Sequence, residues 1–140
     1  MALATYTFEV PGDDFTRAGD ASGQLKKALK KIGFSPDIVR RVSIATYEAE
    51  INMVIHANGG TITAEVTPEK INVWFKDSGP GIEDIDLAMQ EGYSTAPENV
   101  RSLGFGAGMG LPNIKKYTDE MTIESTPGVG TTMFISVHIK

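Results

Sequence analysis

Two glycine-dense stretches decide the reading of this chain: Asp77-Ser78-Gly79-Pro80-Gly81-Ile82 and Gly104-Phe105-Gly106-Ala107-Gly108-Met109-Gly110. The first follows Ile71-Asn72-Val73-Trp74-Phe75-Lys76, an alternating run that predicts a strand. Asp77 then stands at a strand end, before a sharp turn, where its carboxylate can accept from the amino group of a flat ligand. Gly79 and Gly81 let the backbone come close to such a ligand, with no Cβ in the way. The second stretch precedes Leu111-Pro112-Asn113-Ile114-Lys115-Lys116-Tyr117, which predicts a helix. Glycines opening a helix present several backbone N–H groups at the end where the dipole favours anions, a cradle for phosphates.

A third piece lies upstream. Glu48-Ala49-Glu50-Ile51-Asn52 places the Glu48 carboxylate and the Asn52 amide at i and i+4, on one face of a helix. The apolar positions Ile38, Val42, Ala45, Ala49 and Met53 form one stripe of that helix, and Ile44, Ile51 and Ile55 a second. Glu48 and Asn52 fall between the stripes, an expensive place for a carboxylate unless it is paired or used. A structural salt bridge would account for Glu48 alone, but it would not account for three motifs in this order.

In that order the motifs resemble the N, G1 and G2 boxes of the gyrase, Hsp90, histidine-kinase and MutL ATPase superfamily. The resemblance runs from about Ser35 to the C-terminus. Within the superfamily the sequence is most similar to the small stand-alone bacterial kinases of the anti-sigma and stressosome-switch type, above all over Gly81 to Thr95. The resemblance implies an α+β two-layer sandwich of the Bergerat ATP-binding type, a mixed, mostly antiparallel sheet covered by helices on one face. It implies that Asp77 holds the adenine amino group, that Thr131 touches the base through water, and that Asn52 is an oxygen ligand to Mg²⁺. Gly79, Gly81, Ile82, Gly104, Gly106, Gly108, Met109, Gly110 and Leu111 complete the implied ATP-binding set. Glu48 is the implied general base, taking the proton from a serine or threonine hydroxyl in line with the γ-phosphate. The implied partner is a small switch-type protein, as substrate or antagonist, with a sigma factor one candidate; a homodimer is left open. A nucleotide-gated binding module with little or no catalysis is the alternative function, and the intact Glu48 favours the enzyme.

The remaining sequence fits one domain over residues 1–140. The chain has 140 residues, 41% of them hydrophobic, which suits one core. Its 13 basic and 18 acidic residues leave a net charge of −5, which speaks against a nucleic-acid surface. No cysteine is present, so disulfide and thiol chemistry are excluded. The first ten residues have no basic segment followed by an apolar run, and no apolar stretch approaches the ~20 residues that span a bilayer, so a cytoplasmic protein with no membrane partner is expected. Neither GxxxxGK[ST] nor the protein-kinase loop motifs occur.

Thr5 to Val10 alternates as a short strand ended by Pro11-Gly12. Asp13 or Asp14 is the expected cap of a first helix carrying Phe15, Ala18, Ser22, Leu25, Leu29 and Ile32, with a solvated face of Lys26, Lys27, Lys30 and Lys31 and a C-cap at Gly33. Ser35-Pro36 is the expected start of the second helix, and Ala57-Asn58-Gly59-Gly60 its stop. Thr61 to Thr67 and Ile71 to Lys76 predict a hairpin through Pro68-Glu69-Lys70, and a short helix is expected over Glu83 to Gln90. Glu91 to Gly108 shows no apolar period and is expected to form a lid, within which Arg101 is a candidate phosphate contact. A strand from Glu120 to Ser125, a turn at Pro127 to Gly130 and a strand from Thr131 to Ile139 close the chain.

Overall fold

In the computed structural model, residues 4–11, 19–56, 59–77, 110–126 and 129–139 are described. Five strands are present among them: β1 (Ala4–Pro11), β2 (Gly59–Val66), β3 (Lys70–Lys76), β4 (Glu120–Thr126) and β5 (Gly130–His138). They form one sheet in the order β1-β2-β3-β5-β4, and every described pairing is antiparallel. Three helices accompany it: α1 (Asp20–Ile32), α2 (Pro36–His56) and α3 (Gly110–Tyr117).

The helices cover one face. Ile62, Ala64 and Val66 of β2, Ile71, Val73 and Phe75 of β3, and Met133, Ile135 and Val137 of β5 are buried at every second position, together with Leu25, Leu29, Val42, Ala45, Ala49, Met53 and Ile114 from the helices. The opposite face carries Trp74 against Phe134, ring centroids 5.2 Å apart, among the threonines 61, 63 and 132. The period of two thus sorts each strand between a helix-covered side and an open side.

The α2 boundary follows local chemistry. Ser35 Oγ accepts from the Ile38 N–H at 3.3 Å, and Pro36 occupies the first helical position, where no backbone N–H is needed. The predicted stripe of Ile38, Val42, Ala45, Ala49 and Met53 is buried throughout. Gly33 ends α1 in the left-handed region at φ 107°, its N–H donating to the Leu29 carbonyl. The β2–β3 hairpin closes as expected, with Thr67 Oγ1 accepting from the N–H groups of Glu69 and Lys70.

Three boundaries differ from the sequence reading. The helix that buries Leu25 and Leu29 begins at Asp20, after Gly19 at φ 97°, and not at a cap near Asp13 or Asp14; residues 12–18, with Phe15 and Ala18, lie outside the described residues. Ile32, at the end of the expected stripe, is 40% exposed. Gly59 and Gly60 do not merely stop α2: they are the first residues of β2, paired with Pro11 and Val10.

Candidate nucleotide site

The floor of the site is one row of the helix-covered sheet face. Antiparallel register places Asp77 one residue beyond the Lys76–Thr132 pair, opposite Thr131, and Thr131 pairs in turn with Ser125. The backbone confirms this alignment: Asp77 N–H donates to the Thr131 carbonyl at 3.0 Å, and Thr131 N–H donates to Asp77 Oδ1 at 3.2 Å. The backbone and the carboxylate of Asp77 are therefore both tied to Thr131 across the β3–β5 seam, with the residue half-buried at the end of its strand. Thr131 Oγ1 lies 2.8 Å from Ser125 Oγ, and Ser125 Oγ donates to the Gly130 carbonyl at 3.3 Å.

Gly60 extends the row on the β2 side, and here the structure explains a residue that sequence reading took for a helix stop. A methyl group at Gly60 would collide with the Lys76 carbonyl oxygen and would stand 2.6 Å from the Met53 methyl and 3.1 Å from Asp77 Cβ. The missing side chain brings β2, Asp77 and the last turns of α2 together. The cue was available only through the β2–β3 register, because a glycine pair after a helix reads first as punctuation.

Glu48 and Asn52 are both half-buried on α2. They share a helix flank with Arg41, which stands seven residues before Glu48, two turns back. Arg41 Nε donates to the carbonyl of Tyr117 at the end of α3 (3.2 Å), and Arg41 Nη2 pairs with Asp119 at 3.2 Å. Arg40 lies over the Tyr117 ring, 5.3 Å from its centroid. The flank carrying Glu48 and Asn52 is thus the one that meets α3. α3 packs against α2 with its C-terminal end at Arg41.

Glu50 is the carboxylate that sequence reading left without a role. It is 2% exposed and faces the other way, into α1. Its Oε2 accepts from the N–H groups of Gly19 (3.0 Å) and Ala21 (3.1 Å), and its Oε1 from that of Ser22 (3.0 Å). A side chain of α2 so caps the first turn of α1, where a negative charge is most favourable. Between the two carboxylates, Tyr47 has its hydroxyl pKa raised, first by burial and then by the charges of Glu48 and Glu50. Asp119 has its carboxyl pKa lowered, first by the N–H of His138; burial, the next effect in size, opposes this, and Arg41 lowers it further.

Of the sequence-predicted set, Glu48, Asn52, Asp77, Thr131 and the helix start at Gly110 are placed by the structure. Gly79, Gly81, Ile82, Gly104, Gly106, Gly108, Met109, the expected helix over Glu83 to Gln90 and the expected lid with Arg101 lie outside the described residues, as does the side chain of Leu111. Among the described residues no group of three histidine, cysteine, aspartate or glutamate side chains is placed to hold a metal. Nor is any helix among them long and apolar enough to cross a membrane.

A single antiparallel sheet with helices on one face and a carboxylate at the end of a central strand fit an ATP-binding domain of the superfamily noted above. The chain belongs to the histidine kinase-like ATPase domain family, which it matches over residues 14–136. It is 37% identical over 103 residues to an anti-sigma F factor of Caldanaerobacter subterraneus subsp. tengcongensis, covering 70% of this chain and 68% of that protein. It is 31% identical over 110 residues to the serine/threonine-protein kinase RsbT of Bacillus subtilis, covering 76% and 77%. An anti-sigma F factor of Halalkalibacterium halodurans is 31% identical over 109 residues, covering 74% and 71%.

Proposed function

We propose that the protein is an ATP-dependent serine/threonine kinase of the partner-switching type, transferring the γ-phosphate to a hydroxyl of a small partner protein. The observation that carries this reading is that Glu48 and Asn52 share the α2 flank whose Arg41 holds the C-terminal end of α3; a helix of about 10 Å running back along that flank would set its N-terminus level with Glu48. Relatives called anti-sigma F factor and serine/threonine-protein kinase support the same reading.

In this reading Asp77 accepts from the adenine amino group, and the row from Gly60 to Ser125 forms the wall behind the base. The first N–H groups of α3 face the phosphates, as helix N-termini do for anions. The glycines at 79, 81, 104, 106 and 108, with Ile82, Met109 and Leu111, join the nucleotide site by resemblance. Mg²⁺ fits the donor chemistry of Asn52: one neutral oxygen ligand suits an ion that keeps its waters and takes substrate phosphates as ligands. When bound, the ion neutralises phosphate charge. Glu48, beside the phosphates, receives the proton of the attacking hydroxyl. A general base of this kind contributes ~10²- to 10⁴-fold. The partner is a small protein with a serine or threonine acceptor, and a sigma factor is one candidate for the protein it controls.

The test is Glu48→Gln, assayed with a partner recovered from the native host and mapped for its phosphosite. The variant keeps the shape of the side chain but cannot take the proton. It should bind Mg-ATP within a few-fold of wild type and phosphorylate the partner at least ~100-fold more slowly. A wild type that binds the partner in the presence of ATP yet transfers no phosphate would replace the kinase with a nucleotide-gated binding module. Transfer at the wild-type rate by Glu48→Gln would remove Glu48 as the base.

A further inference from the structure

The polar chain behind Asp77 has a direction. Ser125 Oγ contacts both the Gly130 carbonyl, at 3.3 Å, and Thr131 Oγ1, at 2.8 Å. A carbonyl only accepts, and a serine hydroxyl has one proton to give. Both contacts are hydrogen bonds only if Ser125 donates to Gly130 and Thr131 donates to Ser125. The proton of Thr131 then points away from Asp77, toward β4. What Thr131 Oγ1 turns toward the site is lone-pair density. Its own N–H is already committed to Asp77 Oδ1.

We propose that Ser125 is a positioning residue for base selection: by taking the Thr131 proton it fixes that hydroxyl as an acceptor beside the Asp77 carboxylate. Two neighbouring acceptors suit a base edge that presents an exocyclic amino group, directly or through a donating water. They oppose an edge with a carbonyl at the same place, which needs a donor. Without Ser125 the Thr131 hydroxyl turns freely, and it can donate to such a carbonyl. The inference rests on the reading of Asp77 as the adenine anchor, and it adds a residue from an adjacent strand that sets the polarity of that anchor's neighbour. It also explains why a polar side chain stands on the covered face at Ser125, where β4 otherwise turns Met121 and Ile123 toward the core.

The experiment is calorimetric titration of the full chain with Mg-ATP and with Mg-ITP, whose base differs from adenine by a carbonyl in place of the 6-amino group and a proton on the adjacent nitrogen. Wild type should prefer ATP. In Ser125→Ala the ATP-to-ITP ratio should narrow by about three- to tenfold, the worth of one ordinary hydrogen bond. Ser125→Thr, which keeps the hydroxyl, should retain the wild-type ratio. In a Thr131→Val background, Ser125→Ala should change the ratio no further. An unchanged ratio in Ser125→Ala overturns the inference, and so does an equal narrowing in Ser125→Thr or an undiminished effect in the Thr131→Val background. Should Ser125→Ala fail to fold, Thr131→Val alone decides: a wild-type ratio there overturns the proposal. A wild type that binds ATP and ITP equally sinks the adenine reading of Asp77 itself, and the inference with it.

Discussion

Replacing Glu50 should cost stability on a scale that no surface glutamate of this protein approaches. Its carboxylate, 2% exposed, accepts from three backbone N–H groups at 3.0–3.1 Å in the first turn of α1. Glu50→Gln keeps one acceptor oxygen but turns an N–H₂ group toward at least one of these donors. One or two charge-assisted bonds are lost, at about 1.5–3 kcal/mol each, so a net loss of about 3 kcal/mol is expected. Unfolding entropy of about 2.1 cal/mol/K per residue over this chain makes 1 kcal/mol worth about 3 °C. Glu50→Gln should therefore lower the melting temperature by about 10 °C. Glu50→Ala, which strands all three donors and leaves a void, should cost about 5 kcal/mol. Glu124, exposed on β4, is the control: Glu124→Gln should stay within about 0.5 kcal/mol of wild type. Thermal and urea denaturation measure the losses, and amide exchange at Ala21 and Ser22 in Glu50→Gln reports whether the first turn of α1 opens before the rest. A Glu50→Gln protein melting within about 2 °C of wild type would refute the capping argument.

Gly60→Ala should destabilise by about 2–3 kcal/mol and weaken ATP binding, because the added methyl meets the Lys76 carbonyl, Met53 and Asp77, whereas Gly23→Ala, on an α1 face with nothing within 4 Å, should stabilise by about 0.5–1 kcal/mol; opposite signs in denaturant titrations are the check. Asn52→Ala should weaken Mg-ATP binding much more than binding of metal-free ATP, and equal losses with and without Mg²⁺ would make Asn52 a packing residue. Asp119 has its pKa lowered from 3.8 in the folded protein, so the unfolded chain binds its proton first as pH falls. Its contribution is present above pH 3.8 and is lost as pH falls through the lowered folded value, so Asp119→Asn should be less stable than wild type at pH 7 and should converge with it in acid.

Most of the scaffold is legible because it rests on local rules. Alternation marked the strands, Ser35-Pro36 marked the start of α2, and the five-residue stripe on α2 named its buried side. Asp77 was legible as a strand-end carboxylate for the same reason. What could not be read depends on partners distant in sequence. Glu48 and Glu50 are the same residue type two positions apart, and nothing in the pattern says that Glu50 caps the start of α1. The donors that distinguish them are backbone N–H groups 28 to 31 residues earlier, and a backbone group leaves no mark in a sequence. Gly60 was read by its neighbours along the chain, while its reason lies across the strand pair at Lys76 and Asp77. Ser125 looked like an ordinary strand residue, since only the β4–β5 register sets it opposite Thr131. The expected cap near Asp13 or Asp14 misplaced the start of α1 because that end is defined by Gly19 and by a carboxylate from α2, not by a side chain of its own.

These distant contacts share a consequence for α2. The helix is held on two sides at once: Glu50 binds the start of α1, and on the opposite flank Arg41 binds the end of α3. Glu48 lies on the Arg41 flank, about 200° around the helix from Glu50. A glutamate carboxylate extends about 6 Å from the helix axis, so a rotation of α2 by about 10° would displace it by about 1 Å, and a misplacement of that size can cost ~10²-fold in rate. Apolar contacts along a stripe are non-directional and fix such a rotation less sharply than hydrogen bonds do. Directional hydrogen bonds on both flanks oppose it, because a turn that shortens one lengthens the other. The carboxylate of Glu50 and the guanidinium of Arg41 thus fix the rotation of α2, and with it the direction in which Glu48 points.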